Sequence, residues 1–208
     1  MNGRASVVEP FSSCFDGGRV HGVTGEDGCG KGLLLNVLGL LEPPDGGEVN
    51  VAGQRVAGLA PGELTRLRNQ MFGFVFSQPA LLASFTVIEN VAMPLFRIRG
   101  EDPSIARKRS LEVLEFCGVA GLCDCLAGRL GPRESSRAAL ARALVHGPRI
   151  LVGISPRLED EILPLARRAA EELGVCVLWA GGAAGLERFA HRIIHFDRGR
   201  VSGDIVIQ

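Results

Sequence analysis

The stretch Gly25-Glu26-Asp27-Gly28-Cys29-Gly30-Lys31-Gly32 decides how the rest of the chain is read. It has the form G-x-x-x-x-G-K, a loop whose backbone amides surround phosphate oxygens while the lysine supplies positive charge. The residue after that lysine is ordinarily Ser or Thr, whose hydroxyl ligates Mg²⁺. Here it is Gly32, which has no side chain. The loop points to a nucleotide, and the missing oxygen points away from the usual chemistry. Such a loop needs a strand before it and a helix after it. Residues 20–23 read as a short strand, and the apolar run 33–41 reads as a buried helix.

Outward from the loop, Pro43-Pro44-Asp45-Gly46-Gly47 is a turn. Residues 48–51 and 54–56, separated by Ala52-Gly53, form a hairpin pattern. Residues 72–76 are an apolar run of strand length. Thr86 and Glu89 have the spacing of a capping box and start a helix near Val87. Asp102-Pro103 starts a second helix, which ends near Gly118 and carries Leu111, Val113, Leu114 and Phe116 as an apolar face. Ser135 or Ser136 starts a third, stopped at Gly147-Pro148. Strands at 149–154, 175–179, 192–196 and 201–207 follow, with a helix over 161–173. Strands alternate with helices in the first and last thirds, and the middle third is helical, which argues for an α/β core with a helical insertion.

Composition narrows the classes. The chain has 208 residues, enough for one domain with a sizeable core. Lys plus Arg and Asp plus Glu both total 23, so no basic field draws nucleic acid, and none is expected as partner. No apolar run approaches the roughly 18 residues that span a bilayer, and residues 1–4 lack the apolar core of a leader peptide. The cysteines Cys14, Cys29, Cys117, Cys123, Cys125 and Cys176 are scattered. The one close pair, Cys123 and Cys125, lacks a second pair or a nearby histidine, so reduced thiols are expected rather than a metal site. His21, His146, His191 and His195 form no ligand pattern.

The order of segments resembles the ATP-binding subunits of ABC transporters, and most closely the branch serving lipoprotein release, macrolide export and the cell-division ABC complex. The strings that carry the resemblance are Gly73-Phe74-Val75-Phe76, Leu81-Leu82, the run from Phe85 to Leu95, Ala141-Arg142-Ala143-Leu144, the run from Ala190 to Phe196, and Gly199-Arg200-Val201. Together they extend over nearly the whole chain. The resemblance implies a P-loop NTPase (RecA-like) α/β core, an ABC-type helical subdomain and a short antiparallel β subdomain. In one domain of residues 1–208, the core and β subdomain would take 1–85 and 148–208, and the helical subdomain 86–147. The cofactor implied is ATP or ADP, held weakly by Gly25, Gly28, Cys29, Gly30, Lys31, Gly32 and Leu33, with Gln78 from a later loop.

Position by position, the family's chemical residues are replaced. The Mg²⁺ hydroxyl falls on Gly32 and the neighbouring α-phosphate hydroxyl on Leu33. The Q-loop glutamine falls on Ser77, with Gln78 one place late. The signature L-S-G-G-Q reads Leu130-Gly131-Pro132-Arg133-Glu134. The metal-holding aspartate and water-orienting glutamate fall on Ile154 and Ser155, before Pro156. The family histidine that follows the next strand falls on Gly181. The adenine-stacking aromatic would lie at or before residues 1–4; Phe11 and Phe15, the nearest, read as core. Glu159, Asp160 and Glu161 are the only carboxylates near enough in sequence to substitute.

These replacements imply a non-catalytic subunit that does not bind Mg²⁺ as active relatives do. It would act as structural or regulatory partner of an integral membrane permease. The alternative is an ATP-hydrolysing subunit of an exporter of the lipoprotein-release or macrolide-export type. Either way the chain would sit in the cytoplasm, peripheral on the cytoplasmic face of the inner membrane. It would receive the permease in an apolar groove near residues 76–95 and form a homodimer or a heterodimer with another ABC ATPase.

Overall fold

A computed structural model describes residues 8–154 and 159–207. Its centre is a six-stranded sheet of β1 (Val20–Gly25), β4 (Phe72–Phe76), β5 (Ile150–Ile154), β6 (Cys176–Ala180), β7 (Arg192–Asp197) and β8 (Arg200–Val206). The spatial order is β4-β5-β6-β1-β7-β8. The first five run parallel and β8 pairs antiparallel at the edge. A separate hairpin joins β2 (Asn50–Val51) and β3 (Gln54–Arg55). The mixed α/β class with a parallel core and a small antiparallel unit is therefore as the sequence implies.

Parallel strands covered on both faces read as unbroken apolar runs. In β6, Val177 and Trp179 enter one core and Cys176, Leu178 and Ala180 the other. The first core also takes α3 (Val87–Pro94), α4 (Pro103–Phe116), α5 (Pro132–Leu144), α6 (Glu159–Leu173) and α7 (Ala183–Phe189). The second takes α1 (Lys31–Leu38) and, partly buried, residues of α2 (Pro61–Met71). Burial pushes the thiols of Cys117 and Cys176 up to about 12, leaving them packing groups.

Several expected boundaries move, each for a local reason. The helix expected to reach residue 41 stops at Leu38, because Gly39 packs against Phe74 and Leu40 turns with φ of 57°. Helix α5 starts at Pro132, not at Ser135 or Ser136. Pro132 stands where no amide hydrogen is needed, and a Glu134 carboxylate oxygen accepts from Gly131 N at 2.7 Å. Ser136 lies inside that helix and donates back to the Pro132 carbonyl at 2.9 Å. Helix α2 is not among the elements expected from the sequence: Pro61 stands at its first position, but Ala60 before it is no ordinary cap. Glu63 reaches back to accept from Ala60 N at 2.8 Å instead. The expected box at Thr86 forms, with Glu89 Oε2 accepting from Thr86 N at 2.7 Å.

Two buried histidines give the fold an acid limit. His146, 4% exposed, places Nε2 3.1 Å from the Phe72 carbonyl, and its Nδ1 has no partner among the described residues. His21, 1% exposed, faces the Asp16 backbone through Nε2, and its Nδ1 likewise has none among them. Burial is the main cause that holds both below the ordinary 6.5. The unfolded chain then binds more protons than the folded one as pH falls through 6.5, so stability is full above that value and drops below it. Urea unfolding should show a midpoint that is flat from about pH 7.5 to 7 and falls towards about pH 5.5. The fall should be shallower in His146→Gln.

Candidate nucleotide site

The carboxyl ends of parallel strands are where open α/β sheets place their ligands. The glycine loop leaves β1 at such an end, with positive φ at Gly25 (151°), Gly28 (81°) and Gly30 (105°). A Cβ at Gly25 would strike the Phe196 carbonyl, whereas Gly28 has open space and is glycine for its φ. Cys29 is buried; its carbonyl accepts from Gly199 N at 2.8 Å and its N–H donates to the Glu26 carbonyl at 3.2 Å. It thus fastens the loop to the turn after β7. Lys31, Gly32 and Leu33 form the first turn of α1, whose N–H groups lack carbonyls four residues back. Those donors and the helix dipole favour an anion at that point. Lys31 Nζ donates to the carbonyls of Gly25 and Glu26 at 2.7 and 3.2 Å and to Asp27 Oδ1 at 3.3 Å.

The other half of the expected chemistry is differently furnished. Ile154 ends β5 half-buried between Phe76 and Ala180 of the flanking strands. Ser155 and Pro156 lie outside the described residues, as do residues 1–4 and the side chain of Glu159. Asp160 pairs with Arg188 at 3.3 Å, and Glu161 with Arg137 at 2.5 Å and Arg133 at 4.0 Å. Among the described residues, no three His, Cys, Asp or Glu converge as metal ligands. Among the described residues, Gly32 at the helix start and Ile154 at the strand end offer no side-chain oxygen to a cation, while the backbone N–H groups of the loop and the Lys31 ammonium are donors suited to an anion.

Ser77 and Gln78 are exposed in the loop after β4. That loop is pinned from α5, where Arg142 donates to the carbonyls of Ala80 and Pro79 at 2.7 and 2.8 Å. In the sequence Arg142 stands out only as part of a family string. Ala80, whose carbonyl is one of the two it holds, has a positive φ of 47° that is invisible in sequence. Among the described residues no hydrogen bond or ion pair joins Gln78 to Lys31. Gly181 is buried and donates to the Val23 carbonyl at 3.1 Å. Phe11 packs edge-on to Phe196 at 5.7 Å and Phe15 edge-on to His21 at 5.3 Å, as core residues. A cavity of about 590 Å³ opens at the start of α5, lined by Gly118, Leu122, Arg133, Arg137 and Glu161 among others, away from the glycine loop.

The comparisons with known proteins agree with this architecture. Residues 8–153 match the model of the ABC transporter family. The lipoprotein-releasing system ATP-binding protein LolD of Bordetella pertussis is 34% identical over 207 residues, covering 97% of this chain and 89% of that protein. LolD of Xanthomonas campestris pv. campestris is 42% identical over 160 residues, covering 76% and 66%. Among solved structures, the dimeric bacterial ABC transporter cassette MJ0796 superposes with a TM-score of 0.86 at 29% identity, covering 97% of this chain and 90% of that one. A second structure of the same cassette is of a post-hydrolysis state bound to ADP and Pi, with a TM-score of 0.85 at 28% identity and the same coverage. A match of the family model over most of the chain, a sheet of this order and a glycine loop at its carboxyl edge establish that the chain belongs to the ABC transporter family.

Proposed function

We propose that this chain is a nucleotide-binding subunit of an ABC transporter of the lipoprotein-release kind, and that its own site has lost hydrolysis. The two parts rest on different support. The comparisons favour an ATP-binding transporter subunit, and on their own they favour the working ATPase over the non-catalytic subunit. The relatives are named ATP-binding proteins, and a cassette of the same shape is known with ADP and Pi. The loss of hydrolysis rests on one observation: the strand end and helix start that should offer oxygen ligands offer Ile154 and Gly32. Phosphoryl transfer depends on positioning and charge neutralisation rather than covalent chemistry by the protein. A site without those oxygens still holds phosphate through Gly25, Gly28, Cys29, Gly30, Lys31, Gly32 and Leu33, with Gln78 as the residue of the adjoining loop nearest the family position. The nucleotide is ATP or ADP.

The partner reading follows from surface chemistry. Among the described residues no helix is long and apolar enough to cross a membrane, so attachment to the inner membrane would come through a permease. Phe76, Leu82 and Phe85, each more than 40% exposed, place apolar surface within residues 76–95, where a short helix of such a partner would dock. Dimerisation, with itself or with another ABC ATPase, is proposed by analogy with the dimeric cassette it resembles.

A single-turnover assay with excess protein over ATP tests the reading. The wild-type chain should bind nucleotide, lose about tenfold or more in affinity in Lys31→Ala, and release no phosphate above the rate of that variant. Phosphate release by the wild type that Lys31→Ala abolishes would establish the working ATPase instead.

A further inference from the structure

The glycine loop carries an acidic residue at its crest. Asp27 is fully exposed, yet its carboxylate returns to Lys31 Nζ at 3.3 Å, while the same ammonium also donates to the Gly25 and Glu26 carbonyls. Lys31 is the residue whose charge would answer the β- and γ-phosphates in a loop of this form. Asp27 and the terminal phosphate of a triphosphate therefore call on one cation. We infer that Asp27 is a specificity-determining residue that stands in for the terminal phosphate and makes this a nucleoside diphosphate site. The inference rests on the nucleotide-binding reading above and goes beyond it by choosing between the two nucleotides.

The physical reasoning is one of charge at short range. A diphosphate leaves the outer position to the carboxylate, so Lys31 keeps both neighbours and the loop keeps its resting bonds. A triphosphate must displace Asp27 from Lys31 and then remain beside it. The displaced ion pair is a solvated (i, i+4) pair and costs little by itself. The repulsion that follows is larger, because two like charges a few ångströms apart at a protein surface interact strongly unless a counter-ion screens them. Position 32 is glycine and β5 ends in Ile154, so neither offers an oxygen to a cation that would screen them. Asp27 lies outside both cores, so replacing it leaves packing untouched.

Calorimetric titration of the full chain with ADP and with ATP, in EDTA at low salt, tests the inference. The wild type should bind ADP at least about fivefold more tightly than ATP, and Asp27→Asn should raise ATP affinity about tenfold and ADP affinity less than about threefold, the scale expected for one close unit charge. Asp27→Glu, which keeps the charge, should keep the preference. A ratio of ADP to ATP affinity that Asp27→Asn leaves unchanged would overturn the inference and leave nucleotide binding standing. No binding of either nucleotide by wild type or variant would overturn both. Thermal unfolding of Asp27→Asn at the wild-type temperature confirms that the comparison is between equal folds.

Discussion

Trp179→Ala should cost about 3–5 kcal/mol of stability, the range for emptying a large aromatic from a core. The ring is wholly buried on β6, in the core that β5 shares with α6 and α7. It fits because its neighbour across the strands, paired in register, is Gly153, where a Cβ would land on the indole itself. Trp179 Nε1 has no hydrogen-bond partner among the described residues, so the ring is held by contact and burial. The two positions are one packing unit, and their substitutions should not add. Gly153→Ala alone should destabilise, as overpacking does, by about 1–3 kcal/mol. In the Trp179→Ala background the same substitution should cost far less, because the added methyl enters the space the ring has left. Urea unfolding of the four proteins closes the cycle. Additive costs would show that Gly153 is glycine for some reason other than the indole.

How far such features can be read from sequence depends on whether their cause is local. The capping box at Thr86, the strand runs expected at 72–76 and 149–154, and the glycine loop are written in adjacent residues, and they form where expected to within a residue. Helix α2 escapes a sequence reading because its cap is made by Glu63 on the backbone of an alanine. The start of α5 escapes it because serine is the usual cap and here a glycine is capped by a carboxylate three residues on. Helix α7 escapes it because the residue before it is Gly182, which has no side chain to mark a cap. The candidate site divides in the same way. Gly25, Gly28, Gly30 and Lys31 are legible because the loop is contiguous. The Arg142 hold on the Pro79 and Ala80 carbonyls and the Arg137–Glu161 pair join residues whose proximity arises only when the chain is folded.

Putting oxygen back into the site should bring hydrolysis back with it. A chain carrying Gly32→Ser, Ile154→Asp and Ser155→Glu, mixed with a second chain whose signature segment is repaired, is expected to release phosphate at least about 10²-fold faster than the wild type in single turnover, the lower end of what a positioned proton-accepting group contributes. Each change restores an oxygen that the active pattern has and this chain replaces. Gly32 faces open space at the helix start, so a serine fits without moving anything. Ile154 is half-buried at the strand end, so an aspartate there remains partly solvated and should cost about 1 kcal/mol of stability. The signature segment must be repaired as well, with Gly131→Ser, Pro132→Gly and Arg133→Gly. Proline offers no amide hydrogen, and the arginine puts a long side chain, directed towards Glu161 at 4.0 Å, at a helix start where a glycine would leave backbone N–H groups open to an anion. Glu134 accepts from Gly131 N, and Glu134→Gln would keep that bond while removing a negative charge from the helix start. In the dimer proposed above, the two repairs would act on opposite halves of one shared site. A repaired loop mixed with a repaired signature on a second chain should therefore turn over where neither alone does. A wild-type chain already as fast as the repaired mixture would show that Gly32 and Ile154 are compensated, and the loss-of-hydrolysis reading would fall. A repaired mixture that binds ATP and stays inert would place the defect elsewhere, at Gly181 first, since that position follows β6 beside the loop and carries no side chain to orient a phosphate.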